Sequence, residues 1–260
     1  MGLGDNLMAT GMARGAAARG KRVAFGDGRQ ILWDHHSPQI FRGNPNIAAP
    51  GSEGAADLEW VQFYKGHRIY NRREGDRWVW NAEFRPVPGE VFFSDDEFEF
   101  ADRQGRDFVL IEPGVPQNKS VAPNKQWSSF RYSSVAELLK RSGRDVRQFQ
   151  YPGASLVRDV ARIKAPSFRH ALAVLRNASL YIGPEGGLHH GSAAVNIPAV
   201  VLFGGFIPPQ VTGYPTHTNL TGGATACGSL KRCAHCIRAM EKISVDDVVS
   251  AARKRLAVAA

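Results

Sequence analysis

Apolar positions along the chain change character near residues 105–107. Ahead of that point, Leu7, Met8, Met12 and Ala16 fall near a helical period after Gly2-Leu3-Gly4-Asp5. This spacing predicts a helix that fades in the Ala-, Arg- and Gly-rich stretch 15–20. A β-rich run at 21–25 follows. Residues 27–89 are crowded with Gly, Pro, Asn and aromatics, and their apolar runs at 58–64 and 78–84 are short and unevenly spaced. Beyond 107, short β-rich runs alternate with helical periods, the signature of parallel-sheet units. Strands are expected at 108–112, 146–150, 179–182 and 199–203. Helices are expected up to about 141 behind a Ser134/Glu137 capping box, at 168–177 behind Ser167, at 188–195, and at the C-terminus behind Ser244/Asp247. The pattern predicts an α/β chain with a boundary near 106.

The 260 residues are 43% hydrophobic and 22% charged, enough for one sizeable core or for two compact domains sharing a cleft. Collagen, a disordered tail and a disulfide mini-protein are excluded. A spanning helix needs about 18 consecutive apolar residues, and the longest runs here break well before that, so no transmembrane segment is expected. The start of the chain lacks a signal-peptide layout and there are three cysteines; together they predict a cytoplasmic location. The net charge of +9 favours polyanionic partners: nucleic acid, anionic lipid headgroups at the inner membrane face, or phosphorylated glycans.

In open α/β sheets the ligand sits beyond the carboxyl ends of the strands, so the loops after Glu112, Ile182 and Phe203 should converge on one crevice. The run Gly183-Pro184-Glu185-Gly186-Gly187-Leu188-His189-His190-Gly191 places backbone N–H groups at a helix start, where a phosphate is well received. A tight strand-to-helix turn reads equally well. Arg68, Arg72, Arg73 and Arg77 interleave with Tyr70, Trp78 and Trp80, a mixture suited to phosphate contact with base or sugar stacking. A β-hairpin with its arginines in a solvated turn is the competing reading. Cys227, Cys233 and Cys236 form a C-x5-C-x2-C array with His235 inside and His217 upstream, a candidate structural zinc or iron site beside the alternative of reduced structural thiols.

Several of these segments carry a resemblance. The stretch 183–190, continued by Ser192-Ala193-Ala194, Pro198 and Val200-Val201-Leu202-Phe203-Gly204, resembles the donor-site signature of family 9 glycosyltransferases, the ADP-heptose:lipopolysaccharide heptosyltransferases and their relatives. The opening Gly2-Leu3-Gly4-Asp5-Asn6-Leu7 is similar to that family's Gly-Asp loop. Pro113-Gly114 with Lys125-Gln126-Trp127 resembles its phosphate-contacting Lys-x-Trp segment, and the stretch from Cys236 to Val248 resembles its closing helix. Residues 26–105 carry no such likeness.

The resemblance implies a GT-B fold: two Rossmann-like domains facing a cleft, with a shortened acceptor-binding domain at 1–106 and a donor-binding domain at 107–260. It implies Asp5 as the general base, the competing reading being an N-cap for the helix near Leu7. Lys125 would neutralise the leaving diphosphate, with Lys119 as a rival. Glu185, Gly186, Gly187, Leu188 and His190 would hold the nucleotide sugar, with His189 facing away. Apart from the likeness, the arginine-aromatic mixture offers Arg68, Arg72, Arg73 and Arg77 as acceptor contacts. The expected activity is inverting, metal-independent transfer from an ADP-, UDP- or GDP-linked sugar, with no cofactor in the chemistry. The expected acceptor is a phosphorylated surface glycan, with hydroxymethylated DNA as the alternative and a non-catalytic nucleotide-sugar or nucleic-acid binder as the reading from another class. The chain departs from the family in having Glu185 where Asp is usual, Gly186 where a hydroxyl is usual, and no strand before the Gly-Asp loop. The first two leave the donor sugar open, and the last leaves open an upstream start or a remodelled acceptor half.

Overall fold

The computed structural model describes residues 1–115 and 121–258. The first apolar period forms helix α1 (Leu3–Ala17), which begins earlier than Leu7 because the Asp5 carboxylate reaches back to the Gly2 N–H, 2.7 Å away. Asp5 therefore closes the first turn from within, as an acidic side chain near a helix N-terminus does. Strand β1 (Arg22–Phe25), helix α2 (Ser37–Phe41) and strand β2 (Leu58–Val61) follow, and β1 and β2 pair in parallel. Strands β3 (Asn71–Glu74) and β4 (Arg77–Trp80) form an antiparallel hairpin around Gly75, whose φ of 55° favours glycine. Helix α3 (Asp95–Arg103) is entered through Ser94, whose N–H donates to Glu97 Oε2 at 2.9 Å.

The second half builds a six-stranded parallel sheet. Its elements are β5 (Phe108–Ile111), α4 (Ser129–Arg141), β6 (Val146–Phe149), β7 (Ala161–Ile163), α5 (Phe168–Leu175), β8 (Ala178–Pro184), α6 (Gly187–Ala194), β9 (Ala199–Leu202), α7 (Pro209–Thr212), β10 (His217–Leu220), α8 (Ala234–Lys242) and α9 (Val245–Val258). The strand order is β10-β9-β8-β5-β6-β7. Strands β5 and β9 are buried at every position, as strands covered by helices on both faces must be. The chain winds outward from β5 in one direction and from β8 in the other, so the switch point lies between them. The architecture is the GT-B-like α/β type, with the N-terminal half reduced to a two-stranded parallel sheet and a hairpin.

The Ser134/Glu137 capping box does not form. Helix α4 starts six residues earlier, capped at Ser128 in place of Ser134, and the Ser134 hydroxyl donates back to the Phe130 carbonyl at 3.3 Å. Aromatic burial moves the start: Trp127 and Tyr132 stack edge to face at 4.8 Å, and the Trp127 indole donates to the Ile243 carbonyl at 3.0 Å. Strand β8 also runs past Ile182, because Gly183 and Pro184 keep pairing with Val201 and Leu202. The caps at Ser167 and Ser244/Asp247 form as expected.

One apolar cluster runs through both halves, joining Leu7, Phe25 and Phe41 to Leu172, Val201 and Phe203. At its edge, Arg169 on α5 donates through Nε and Nη2 to both carboxylate oxygens of Glu97 on α3, at 2.5 and 2.8 Å. Its remaining N–H groups reach the carbonyls of Phe92, Gln39 and Arg42. Both side chains are buried. Removing one partner of such a pair leaves an uncompensated buried charge, so Glu97→Gln should lower stability by about 3–5 kcal/mol. Denaturant unfolding measures this, and a loss below about 1 kcal/mol would show that the seam is held elsewhere.

Candidate active site

The switch point opens into a cleft of about 750 Å³, within the size range of small-molecule sites. The α1 turn and the hairpin region form one wall, and the loops after β5, β8 and β9 form the other. The walls touch at Gly4: a Cβ there would lie 2.7 Å from the His190 ring and 3.6 Å from the Gly186 carbonyl carbon. Only glycine permits that approach.

Asp5 is 8% exposed and held by three donors. These are the Gly2 N–H at 2.7 Å, Arg68 Nη2 at 3.2 Å and the Tyr70 hydroxyl. Arg68 also lies over the Trp78 ring, 5.4 Å from its centre. Capping and cleft-facing roles thus coexist in one carboxylate.

On the opposite wall, the Lys125 ammonium pairs with Glu185, and His190 Nε2 lies 3.4 Å from the other Glu185 oxygen. Burial alone would push the Glu185 carboxyl up. The Lys125 charge and the His190 contact overcome it and hold Glu185 well below the usual carboxylate range. His190 is oriented by the Tyr214 hydroxyl, 2.8 Å from Nδ1, and Lys125 sits 5.2 Å from the centre of the Phe206 ring. Gly187 and Leu188 open α6 at the cleft surface. Their position fits anion binding, because backbone N–H groups at a helix start lack intrahelical partners. His189 points away, buried among Phe203, Tyr214 and His217. Burial first, then the neighbouring His190, drives His189 well below the normal histidine range and His217 down to about 3.

The structure therefore gathers Asp5, Lys125, Glu185, Gly186, Gly187, Leu188, His190 and Arg68 around one cavity. It does not gather the other three arginines, which lie outside the cleft lining. Arg72 pairs with Glu74, Arg73 donates to the Gly75 carbonyl at 3.0 Å, and Arg77 bridges the backbone at Ser229; all three are exposed. The three cysteines converge without His235, whose Nε2 lies 2.8 Å from the Thr225 carbonyl, and a second group of converging ligand atoms comes from Glu185, His189 and His190. Lys119 falls outside the described residues.

Two cleft residues have roles that the sequence pattern did not assign. Tyr70 reaches Asp5 only through tertiary folding. Glu112, directly after fully buried β5, was visible as a carboxyl at a strand end. Its Oε1 lies 3.3 Å from both the Gly114 N–H and the Tyr151 hydroxyl and 3.5 Å from Gln148 Nε2, while Oε2 has no hydrogen-bond partner among the described residues. Burial pushes this carboxyl up to about 7.

A raised carboxyl pKa means that the folded chain holds a proton the unfolded chain has released. The contribution of Glu112 to stability should accordingly fall as pH rises from about 4.5 to about 7, by up to about 3 kcal/mol, and stay flat above. The buried histidines act in the opposite sense, costing stability as pH drops below about 6.5. Subtracting the stability profile of Glu112→Gln from that of the parent isolates the carboxyl. A flat difference across the window would mean that Glu112 is solvated.

Comparison with known proteins follows the same lines. No curated protein sequence matches the chain. Among solved structures, the glycosyl transferase family 9 protein from Veillonella parvula superposes with a TM-score of 0.69 at 14% identity, over 99% of this chain and 95% of that one. E. coli ADP-heptose lipopolysaccharide heptosyltransferase II gives a TM-score of 0.48 at 18% identity, over 69% of this chain and 54% of its own. The iron-containing dodecameric glycosyltransferase TibC from E. coli gives 0.46 at 16% identity, over 71% and 50%. The chain thus spans nearly all of the first and about half of the other two. The family model of glycosyltransferase family 9 (heptosyltransferase) matches residues 89–243, more than half of the chain, and the protein belongs to that family.

Proposed function

We propose that the protein is an inverting glycosyltransferase that moves a sugar from a nucleoside-diphosphate donor to a hydroxyl acceptor. The observation that carries this reading is the contact of the Gly2–Asp5 turn with the Gly186–His190 loop across one cleft. It sets a carboxylate opposite a cation and a helix N-terminus, the two ends of a displacement at an anomeric carbon. Asp5 takes the proton of the acceptor hydroxyl as its oxygen bonds to the anomeric carbon from the face opposite the leaving group. The bond from that carbon to the diphosphate oxygen breaks in the same step, and the charge left on the diphosphate is taken up by Lys125 and the N–H groups opening α6. Glu185 accepts hydrogen bonds from sugar hydroxyls, and His190 fixes its orientation. Positive charge for the leaving group comes from the chain itself, so the step needs no metal.

In this reading residues 1–106 present the acceptor and 107–260 hold the donor. Arg68, between Asp5 and Trp78, is the arginine placed to meet an anionic acceptor. With Arg72, Arg73 and Arg77 outside the cleft lining, a phosphorylated glycan is favoured over duplex DNA, whose backbone would need a continuous basic track. Action on such a glycan places the protein in the cytoplasm at the inner membrane face.

Asp5→Asn keeps the shape and a hydrogen-bond acceptor, so nucleoside-diphosphate binding should persist while transfer falls by roughly 10²- to 10⁴-fold. Retention of more than about half the turnover would reduce Asp5 to a helix cap. Lys125→Ala should weaken donor binding and slow transfer together, and an effect seen only in Lys119→Ala would move the diphosphate contact to that lysine. Assays with a heptose-containing glycan beside hydroxymethylated DNA separate the acceptors. Donor protected without turnover on either would mark a binding protein.

A further inference from the structure

Cys227 lies in the loop after β10, Cys233 caps α8, and Cys236 sits in its first turn, yet their sulfurs meet. Cys227 Sγ is 3.8 Å from Cys233 Sγ and 3.1 Å from Cys236 Sγ. Thiols are weak donors and weak acceptors, so their mutual hydrogen bonds are a poor reason for three to converge. A tetrahedral metal with sulfur bonds of about 2.3 Å holds its thiolates about 3.8 Å apart, which is the Cys227–Cys233 spacing, and the closer Cys227–Cys236 pair would open by about 0.7 Å to admit the ion. Cys227 and Cys233 are half-buried and Cys236 is buried, so an ion can reach the thiols from solvent.

We propose that Cys227, Cys233 and Cys236 bind one thiophilic transition-metal ion, zinc or ferrous iron, as a cross-link that fixes the catalytic cleft from outside it. Each thiol that ligates releases its proton to solvent, and the metal undergoes no redox change.

The surroundings of the cluster give the cross-link its consequence. The Cys227 N–H donates to the Gly205 carbonyl at 2.9 Å and the Gly228 N–H to the Phe206 carbonyl at 3.0 Å, which ties the loop to the ring over Lys125. The Trp78 N–H donates to the Gly228 carbonyl at 2.8 Å and the Leu230 N–H to the Asp76 carbonyl at 2.9 Å, which ties it to the hairpin carrying Trp78 and Trp80. Asn124, fully buried just before Lys125, donates to the carbonyls of Ser229 and Lys231 and accepts from the Cys233 N–H at 2.8 Å. One short loop thus holds both the acceptor-side hairpin and the lysine segment. That loop has no regular secondary structure of its own, so a metal anchor supplies the rigidity that a packed core would otherwise give.

The test begins with elemental analysis of the full chain purified under reducing conditions. About one zinc or iron per chain is expected, with either ion supporting the site and the analysis telling them apart. Cys233→Ser should drop the content to less than about a tenth, with the circular dichroism spectrum unchanged. Stripping the parent protein with a chelator should raise amide exchange several-fold across residues 71–80 and 122–125 and not in β5 or β9, and added zinc should reverse it. Cobalt added to the stripped chain should give thiolate-to-metal charge-transfer absorption. A metal-free reduced protein without cobalt absorption, a Cys227–Cys236 disulfide found by mass spectrometry, or metal retained in full by Cys233→Ser would each overturn the site. Unchanged exchange on stripping would overturn the cross-link.

Discussion

The buried pair between Arg169 and Glu97 is the constraint on which the arrangement of the halves depends. A guanidinium inside a protein is tolerable only when its donors are satisfied, and here they reach a carboxylate on α3 and backbone carbonyls of three further residues. All these partners precede residue 100, whereas Arg169 belongs to the parallel-sheet half. Any rotation of one half against the other strips donors from a buried charge. The cost of such a rotation is what keeps the α1 turn pressed against the α6 loop. The Gly4 contact with His190, and with it the shape of the cleft, follows from this seam.

The electrostatics of the cleft follow from the same geometry. Along the cleft wall Lys125 and Glu185 neutralise each other, and His190, steadied by Tyr214, holds the second Glu185 oxygen. In the proposed function, a diphosphate arriving at Lys125 would compete with that carboxylate for the ammonium, and the sugar hydroxyls would offer Glu185 replacement donors. Donor binding in this reading exchanges an internal ion pair for two ligand contacts, so an anion without a sugar attached would leave a buried carboxylate short of partners. Asp5 on the other wall is held by groups of its own side, Arg68 and Tyr70. The two carboxylates are thus supplied by separate sets of partners.

Reduction of the N-terminal half has a physical price elsewhere. A two-stranded sheet buries little by itself, and the strands here rely on α1 and on an apolar cluster shared with α5 and β9. The hairpin β3–β4 relies on backbone bonds to the cysteine loop. Small elements are held by long-range contacts, and the N-terminal wall of the cleft is made from them.

Sequence periodicity by itself determined most of the parallel-sheet half. Runs such as 108–111 and 199–202 are apolar at every position with Gly or Pro close by, which leaves little choice besides buried parallel strands, and the Gly-rich loop between strand and helix marked the end of the sheet where the cleft opens. Mixed edge strands such as Ala161–Ile163 and His217–Leu220 gave no such signal, since an edge strand has one covered side. The Ser134 cap failed because aromatic burial around Trp127 outweighed a local hydrogen-bond pattern. Within the site, Asp5 and Glu185 were legible as carboxylates beside glycines, and Lys125 only through the likeness of Lys125-Gln126-Trp127 to a family segment. The partners that define their environment were not: Tyr70 lies 65 positions from Asp5, and Lys125 and Glu185 are 60 apart. Local pattern fixes which faces of the chain must be buried. Which buried charge meets which partner is decided only when distant segments close on one another, because desolvation and Coulomb energy depend on distance in space and not on distance along the chain.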